Sequence, residues 1–272
     1  MQKKYGSLTG KLFLILIFAF IYSEQAGAQP SEKTTYRIGT GLGYTFAGYR
    51  DETDLPLNKY IDTFTFLIDG NIEKSNFFHS FNFGYFSGTI AAIPADPLLD
   101  EVHDDYRLFT YYQKESTFTR VYFQYALDYR LWGSDTFPGY LGGSFRGDLY
   151  TSHLVQTNYF NLTALVSHSI HASQKWIINK ENMLVYSMGF PLLGYAARPP
   201  YAALYNSPWD TDNRIISLHN YQAVFGDFKY HHSINTLLSL NFGFGFELSR
   251  ISFPEPRKDA AFRLNTGIAF TF

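Results

Sequence analysis

Cysteine is absent from the 272 residues, and neither sign of charge dominates. Without cysteine the fold cannot depend on disulfides, and an export signal in this chain cannot be that of a lipoprotein. The formal net charge of −2 gives no basic surface of the kind that binds nucleic acid. No nucleotide-binding loop, metal-site spacing or nucleic-acid motif is present, so we expect no cofactor, no metal and no nucleic-acid partner.

Long apolar runs are also scarce, and the clearest one, Leu12 to Tyr22, lies near the start. As a helix it would rise only about 16 Å, roughly half the hydrocarbon thickness of a membrane, so an uncleaved anchor is the weaker interpretation. Small residues follow it at Ala26-Gly27-Ala28. Three basic residues precede it: Lys3, Lys4 and Lys11. This order is typical of a secretory signal peptide.

Cleavage is expected after Ala28, which makes residues 1–28 the signal peptide. Residues 29–272 then form the exported protein. No internal repeat, linker or shift in composition divides them. We therefore expect a single domain outside the cytoplasm.

Aromatic residues, in contrast, are abundant: 27 Phe and 22 Tyr against 3 Trp, within a composition of slightly negative mean hydropathy. Apolar and small or polar residues alternate along 238–248, as they do in strands whose successive side chains point to opposite faces. One face carries Leu238, Leu240, Phe242, Phe244, Phe246 and Leu248. The other carries Ser239, Asn241, Gly243, Gly245 and Glu247.

A soluble sandwich would show the same period, but its water-facing side favours Lys, Glu and Thr. Here that side is rich in glycine, as the crowded interior of a narrow barrel requires. The sequence therefore predicts an all-β fold, a transmembrane antiparallel up-and-down β-barrel. Ten strands are expected, at residues 35–46, 60–73, 77–90, 117–132, 139–151, 158–171, 180–195, 214–229, 233–252 and 259–272.

Short and long connections alternate between these strands, as in outer-membrane barrels. Short turns are expected around residues 74–76, 133–135, 173–175 and 230–232. Eight or twelve strands remain possible, because residues 91–116 could hold a strand extension or a further pair. Pro191 is the one proline inside a predicted strand, where it marks either a bulge or the end of the strand.

The final eight residues alternate in the same way and end on two aromatics. They resemble the C-terminal insertion signal of bacterial outer-membrane β-barrel proteins. Its positions are filled by Asn265, Gly267, Phe270 and Phe272. The resemblance covers the last strand only. It implies an integral protein of the bacterial outer membrane, in contact with outer-membrane lipid and lipopolysaccharide, inserted by the barrel assembly machinery.

If the apolar faces meet lipid, charges of both signs must point into the lumen. They are Arg37, Asp69, Arg120, Asp128, Arg130, Arg146, Asp148, Glu247 and Arg263, with Tyr122 and Gln124. A barrel of about ten strands is too narrow for a wide aqueous channel, so we expect these charges to pair as a structural network. The alternative is a small anionic solute held by Arg120, Arg130 and Arg146.

The outer connections are acidic and include residues 51–54, 96–105 and 210–212. Clustered carboxylates could bind calcium, but no calcium-loop spacing is present, and solvated loops are expected. The expected number of ten strands resembles that of the omptin proteases. His103-Asp104-Asp105 is the local candidate for the His-Asp pair that this resemblance implies. No further omptin motif is present.

Ser217 and His219 are the candidates for a rim hydrolase, since two residues apart on one strand they share a face. A histidine so placed could act as base for a serine nucleophile, and the arrangement resembles that of outer-membrane phospholipases. It lacks their Ser-Asn-Gly signature, and no orienting third residue can be named. His231 and His232 are expected in a turn on the periplasmic side.

The sequence thus favours a structural, surface-interaction or small-solute-binding barrel with at most a narrow pore. A lipid hydrolase at the rim and a narrow solute channel are the alternatives. An enzyme is the less favoured of these interpretations.

Overall fold

The computed structural model describes residues 34–51, 55–93, 116–154, 159–198, 212–254 and 256–272. These residues form twelve antiparallel strand segments. The segments are β1 (Thr35–Asp51), β2 (Leu55–Lys74), β3 (Phe77–Thr89), β4 (Ala91–Ile93), β5 (Thr117–Trp132), β6 (Gly139–Leu154), β7 (Tyr159–Ile177), β8 (Asn182–Arg198), β9 (Asp212–Ser217), β10 (Tyr221–Ser233), β11 (Leu238–Ile251) and β12 (Arg257–Thr271). Among the residues described, no helix is long and apolar enough to cross a membrane.

The sheet closes on itself because β1 pairs with both β2 and β12. We call each strand position around the barrel wall a stave. In two places, two segments together occupy one stave. β4 continues β3 along β2, and β9 and β10 lie one after the other along β8. The segments described therefore make a closed barrel of ten staves, which confirms the predicted fold class and strand number.

The two ends of the barrel differ. We call the turn end the one that carries the short connections 75–76, 133–138, 178–181 and 234–237 together with Phe272. The far end is the one where β1 stops at Asp51 and β2 begins at Leu55. Several strands extend beyond their predicted limits toward the far end, β2 by five residues.

Two of the four predicted turns are wrong. The chain reverses at 178–181 and 234–237, and not at 173–175 and 230–232. In both turns an asparagine side-chain oxygen, Oδ1, accepts two backbone N–H groups. Asn179 accepts from Glu181 and Asn182, and Asn235 accepts from Leu237 and Leu238. Such Asx turns stabilise the reversal four or five residues later than predicted. His231 consequently lies buried inside β10 and not in a turn.

The predicted strand 214–229 is also interrupted. Residues 218–220 form a turn between β9 and β10, in which the Asn220 side chain accepts the Ser217 N–H at 2.7 Å. Pro191 lies inside β8 opposite Ser169, where the register with β7 shifts and Leu192 is the extra residue. The proline thus occupies a β-bulge, where its missing N–H breaks no ladder bond.

The two faces of the wall match the sequence alternation. Large apolar side chains cover the outside, among them Leu42, Phe64 and Leu264. The inside is closely packed, with rings lying over glycines. A Cβ on Gly84 would overlap the Tyr122 ring, and one on Gly189 would overlap the Phe225 ring. Glycine on the lumen face therefore makes room for the aromatic side chains of neighbouring staves.

Candidate functional site

The lumen holds four buried charges in direct contact, which we call the central cluster: Arg120, Arg146, Asp148 and Glu247. Arg120 Nη2 lies 2.6 Å from Asp148 Oδ1 and 2.7 Å from Glu247 Oε1. Arg146 reaches the same two carboxylates, at 2.8 Å from Asp148 Oδ2 and 2.5 Å from Glu247 Oε2. Two guanidinium groups and two carboxylates therefore neutralise each other.

The strands place these residues on opposite walls. Arg120 is on β5, and Arg146 and Asp148 are on the adjacent β6. Glu247 comes from β11, which lies four staves from β6 and five from β5 around the barrel. The contacts of Glu247 thus cross the lumen.

A second level of ion pairs lies nearer the turn end. Lys229 Nζ is 2.6 Å from Asp69 Oδ2, which joins β10 to β2 across the lumen. Arg263 Nη2 lies 2.8 Å from Asp227 Oδ1, and its other terminal nitrogen contacts the hydroxyl of Tyr122.

A third level closes the lumen at the turn end. Glu73 accepts hydrogen bonds from Lys175 Nζ at 2.6 Å and from the Tyr140 hydroxyl at 2.8 Å. The same ammonium lies 4.0 Å from the centre of the Phe78 ring, in a cation–π contact.

The carboxylate of Asp128 is fully buried and binds two side chains of β7. His171 Nδ1 lies 2.8 Å from it, and the Ser173 hydroxyl donates to it at 2.9 Å. Because the serine bonds to the carboxylate and not to the imidazole, the trio is not arranged as a nucleophile with its base.

Above the central cluster, toward the far end, the lumen is filled by apolar and aromatic side chains that we call the apolar layer. Its members are Tyr49, Ile61, Phe86, Ile90, Phe118, Tyr150, Leu165, Ala196, Ile216, Tyr221 and Ile251. Arg257 lies against it, with its guanidinium 4.7 Å from the centre of the Tyr150 ring and 2.7 Å from Asp259.

The cavities found among the described lumen residues are small. Three cavities of about 20, 40 and 50 Å³ lie between the charged levels. Each has room for one or a few water molecules. Within the described part of the chain, the levels of ion pairs and the apolar layer fill the interior between these cavities.

The structure separates one predicted lumen charge from the rest. Arg130 lies at the turn end of β5 and pairs with the exposed Asp135 at 3.0 Å. It is ten residues from Arg120, roughly 30 Å along the strand, so Arg120, Arg130 and Arg146 do not form the anion site considered from the sequence. Arg37 also lies near the turn end, where its Nε donates to Thr271.

Ser217 and His219 do not share a strand face, which corrects the geometry expected from the sequence. Ser217 ends β9, and His219 lies exposed in the turn 218–220. The turn forms because the side-chain oxygen Oδ1 of Asn220 accepts a hydrogen bond from the Ser217 N–H, which stops the strand there. The described residues show no hydrogen bond between the two candidate side chains.

Other candidates lie outside the described residues. They are His103-Asp104-Asp105 and most of the acidic outer positions. Asp212 is described and is exposed at the start of β9. Among the residues described, no three His, Asp or Glu side chains are placed to hold a metal ion.

The residues of the predicted insertion signal lie on β12 and at its end. Phe270 and Phe272 point outward and are exposed. Asn265 and Gly267 pair with Gly43 and Gly41 of β1. The backbone of Phe272 exchanges two hydrogen bonds with Tyr36, at 2.8 and 3.1 Å. These bonds complete the seam between β1 and β12 at the turn end.

The prediction from the sequence omitted Lys59, Arg198 and Arg257 toward the far end, and four charges nearer the turn end: Glu73, Lys175, Asp227 and Lys229. Of these four, Glu73, Lys175 and Lys229 were assigned to strand ends or turns. Each lies an even number of residues from other lumen-facing residues of its own strand, as Lys175 does from His171 and Ser173. The alternation therefore contained the signal, and only Lys175 was hidden because a predicted turn was misplaced onto it.

The fold and its packed lumen define the class: this is a β-barrel of the type found in bacterial outer membranes. Within that class, the structure is similar to the outer membrane protease OmpT from Escherichia coli, with a TM-score of 0.54 and 7% identity over 91% of this chain and 99% of that one. The resemblance stated from the sequence is thereby confirmed at the level of the fold.

Two further structures align at lower similarity. The translocator domain of the autotransporter NalP from Neisseria meningitidis has a TM-score of 0.43 and 8% identity over 97% of this chain and 98% of that chain. Neisserial surface protein A has a TM-score of 0.40 and 8% identity over 89% and 100%. No protein-family model and no curated protein matches the sequence.

Proposed function

We propose that this chain is an integral protein of the bacterial outer membrane whose lumen is a structural plug and which acts through its outer surface. The observation that carries the proposal is the filled lumen, with cross-wall ion pairs below an apolar layer. A narrow pore would need a continuous aqueous path, whereas the three cavities between the charged levels have volumes of only about 20, 40 and 50 Å³.

Membrane insertion is supported by the outward-facing side chains. The outside of the wall exposes Ile38, Leu42 and Phe46 on β1, and the same pattern recurs on the other staves. An exposed apolar surface of this extent is unstable in water and matches the lipid-facing band of a membrane barrel. With the predicted export signal, it supports insertion by the barrel assembly machinery.

The ion pairs support a structural role for the lumen charges. Each arginine of the central cluster contacts both carboxylates, which leaves neither charge for a solute. Burying an unpaired charge is costly, whereas a fully paired and hydrogen-bonded cluster is tolerated. A small-solute-binding role inside the lumen therefore has less support than a role for the outer surface.

Planar-bilayer recording of the refolded chain, residues 29–272, tests the closed lumen. We expect no steady conductance, while a general porin in the same bilayer conducts. Steady single-channel current from folded protein, changed by Arg120→Ala but not by Asp135→Ala at the rim, would show a water-filled path past the central cluster and overturn the proposal.

A further inference from the structure

A row of polar and basic side chains crosses four adjacent staves on the outer surface near the far end, and we call it the basic row. Arg250 on β11 lies directly opposite Lys258 on β12, and Lys258 lies opposite Arg50 on β1. Gln222 on β10 lies on the other side of Arg250. Arg250, Lys258 and Gln222 are exposed, and each occupies an outward-facing position in the alternation of its strand.

Like charges at directly opposed positions repel each other, because the Cβ atoms of such pairs lie only about 5 Å apart. Within the described part of the chain, no carboxylate forms an ion pair with Arg250 or Lys258. The nearby Asp259 points to the lumen side and pairs with Arg257 at 2.7 Å. Arg250 and Lys258 thus present positive charge that an external anion would neutralise.

The position of the row relative to the apolar surface identifies that anion. Four residues further from the far end, Phe246, Phe262 and Phe46 form a parallel row of exposed or half-exposed rings. Four residues of strand span about 13 Å. A molecule that meets both rows needs a negative charge next to a long apolar part, as in a lipid with a phosphate headgroup.

A shallow, open groove lies beside the basic row. Its volume is about 420 Å³, and it opens on the outer surface. Its lining consists of Phe190, Gln222, Ala223, Val224, Leu248, Ser249, Arg250, Lys258 and Asp259, whose carboxylate is neutralised by Arg257. The groove is mostly apolar, and the two cations lie at its edge. It forms where β8 and β10 are not paired, since their ladder ends at Gly189 and Phe225 and β9 takes over at Leu193.

We propose that the basic row is a binding site for the phosphate of an outer-leaflet lipid, with an acyl chain in the adjoining groove. Arg250 donates a forked pair of hydrogen bonds to the phosphate, a geometry that guanidinium groups favour, and Lys258 adds a point charge. Gln222 is placed to donate from its amide. This site rests on the membrane placement proposed above and is independent of whether the lumen conducts.

The test is binding of lipid A with both phosphates to the refolded chain in neutral detergent, followed by native mass spectrometry. The variant Arg250→Gln/Lys258→Gln should bind lipid A about tenfold or more weakly than the native chain. The matched control is Lys74→Gln/Lys180→Gln, which removes the same charge from exposed positions at the turn end. We expect native binding from this control.

Two further arms separate the sources of the anion. Dephosphorylated lipid A should bind as weakly to the native chain as lipid A does to the Arg250→Gln/Lys258→Gln variant. Inorganic phosphate at millimolar concentration should not displace lipid A, because it cannot fill the groove. Displacement by phosphate would instead show a free-anion site and overturn the lipid assignment.

Folding of each variant is checked by its mobility on unheated gels, where intact barrels migrate differently from unfolded chains. Equal affinity of the folded double variant and the native chain for lipid A would overturn the proposal. Loss of membrane insertion by the native chain would instead contradict the proposed function, and the binding assay in detergent would still report on the site.

Discussion

At the scale of single residues, Glu247 has the largest consequence, because one carboxylate neutralises two arginines from the opposite wall. Its removal would leave Arg120 and Arg146 with only Asp148 between them in a buried position. Breaking a buried pair costs more than the pair contributes, because the remaining charge stays desolvated.

Glu247→Ala should therefore destabilise the barrel by about 3–5 kcal/mol. The measurement is urea unfolding in lipid vesicles, followed by gel mobility and tryptophan fluorescence. Asp135→Ala is the control, because its pair with Arg130 is at the surface and contributes about 0–1 kcal/mol. Equal effects of the two substitutions would show that the central cluster is hydrated and not a buried network.

The sequence predicts which face of its strand each of these residues occupies, but it does not predict which residues they contact. Parity along a strand places Arg120, Asp148 and Glu247 on the lumen face, since it needs only local alternation. The pairing of Glu247 with residues more than a hundred positions away depends on the closure and stagger of the barrel. No periodicity in one strand contains that information.

At the scale of elements, the positions of the hairpin turns decide where each strand ends and which of its last residues face the lumen. The asparagines Asn179 and Asn235 fix two reversals, and both were overlooked beside more polar neighbouring segments. Moving a turn along the chain does not change which residues of the preceding strand face the lumen. The lumen face was therefore predicted correctly where the strand was known, and Lys175 was lost because it fell in a predicted turn.

Glycine packing gives a test at this scale. Gly189 of β8 lies beneath the Phe225 ring, which also contacts the guanidinium of Arg146 at 4.9 Å from its centre. Gly189→Val forces the ring away and should cost about 1–3 kcal/mol in the same unfolding assay. Gly147→Val is the control, because a Cβ there meets nothing within 4 Å. A neutral Gly189→Val would mean that the ring moves freely.

At the scale of the whole molecule, the fold was the most predictable feature. Ten alternating segments separated by turn residues leave few architectures, and an antiparallel barrel removes every exposed sheet edge. The interrupted stave β9–β10 was not predicted, because the turn at 218–220 contains no glycine or proline to announce it.

Assembly is also a property of the whole chain. Phe272 is exposed outside the seam that its backbone closes with Tyr36. As the resemblance to an insertion signal implies, Phe272→Ala should lower the amount of folded protein in the outer membrane several-fold, with little effect on its unfolding once refolded. Quantification in isolated membranes provides the readout. Ile268→Ala truncates another outward side chain of β12 and should leave the level unchanged. Normal levels of Phe272→Ala would refute the signal.

The cross-wall ion pairs have a mechanical consequence. Glu247 with Arg120 and Arg146, Asp69 with Lys229, and Glu73 with Lys175 each join staves about half a circumference apart, at three heights. They therefore act as struts that fix the diameter of the cylinder. Lateral pressure from the bilayer would flatten an unsupported barrel along one axis. In this barrel such flattening would stretch the ion pairs that cross the lumen along another axis. The shape of the cross-section should therefore change little when membrane tension or lipid composition changes.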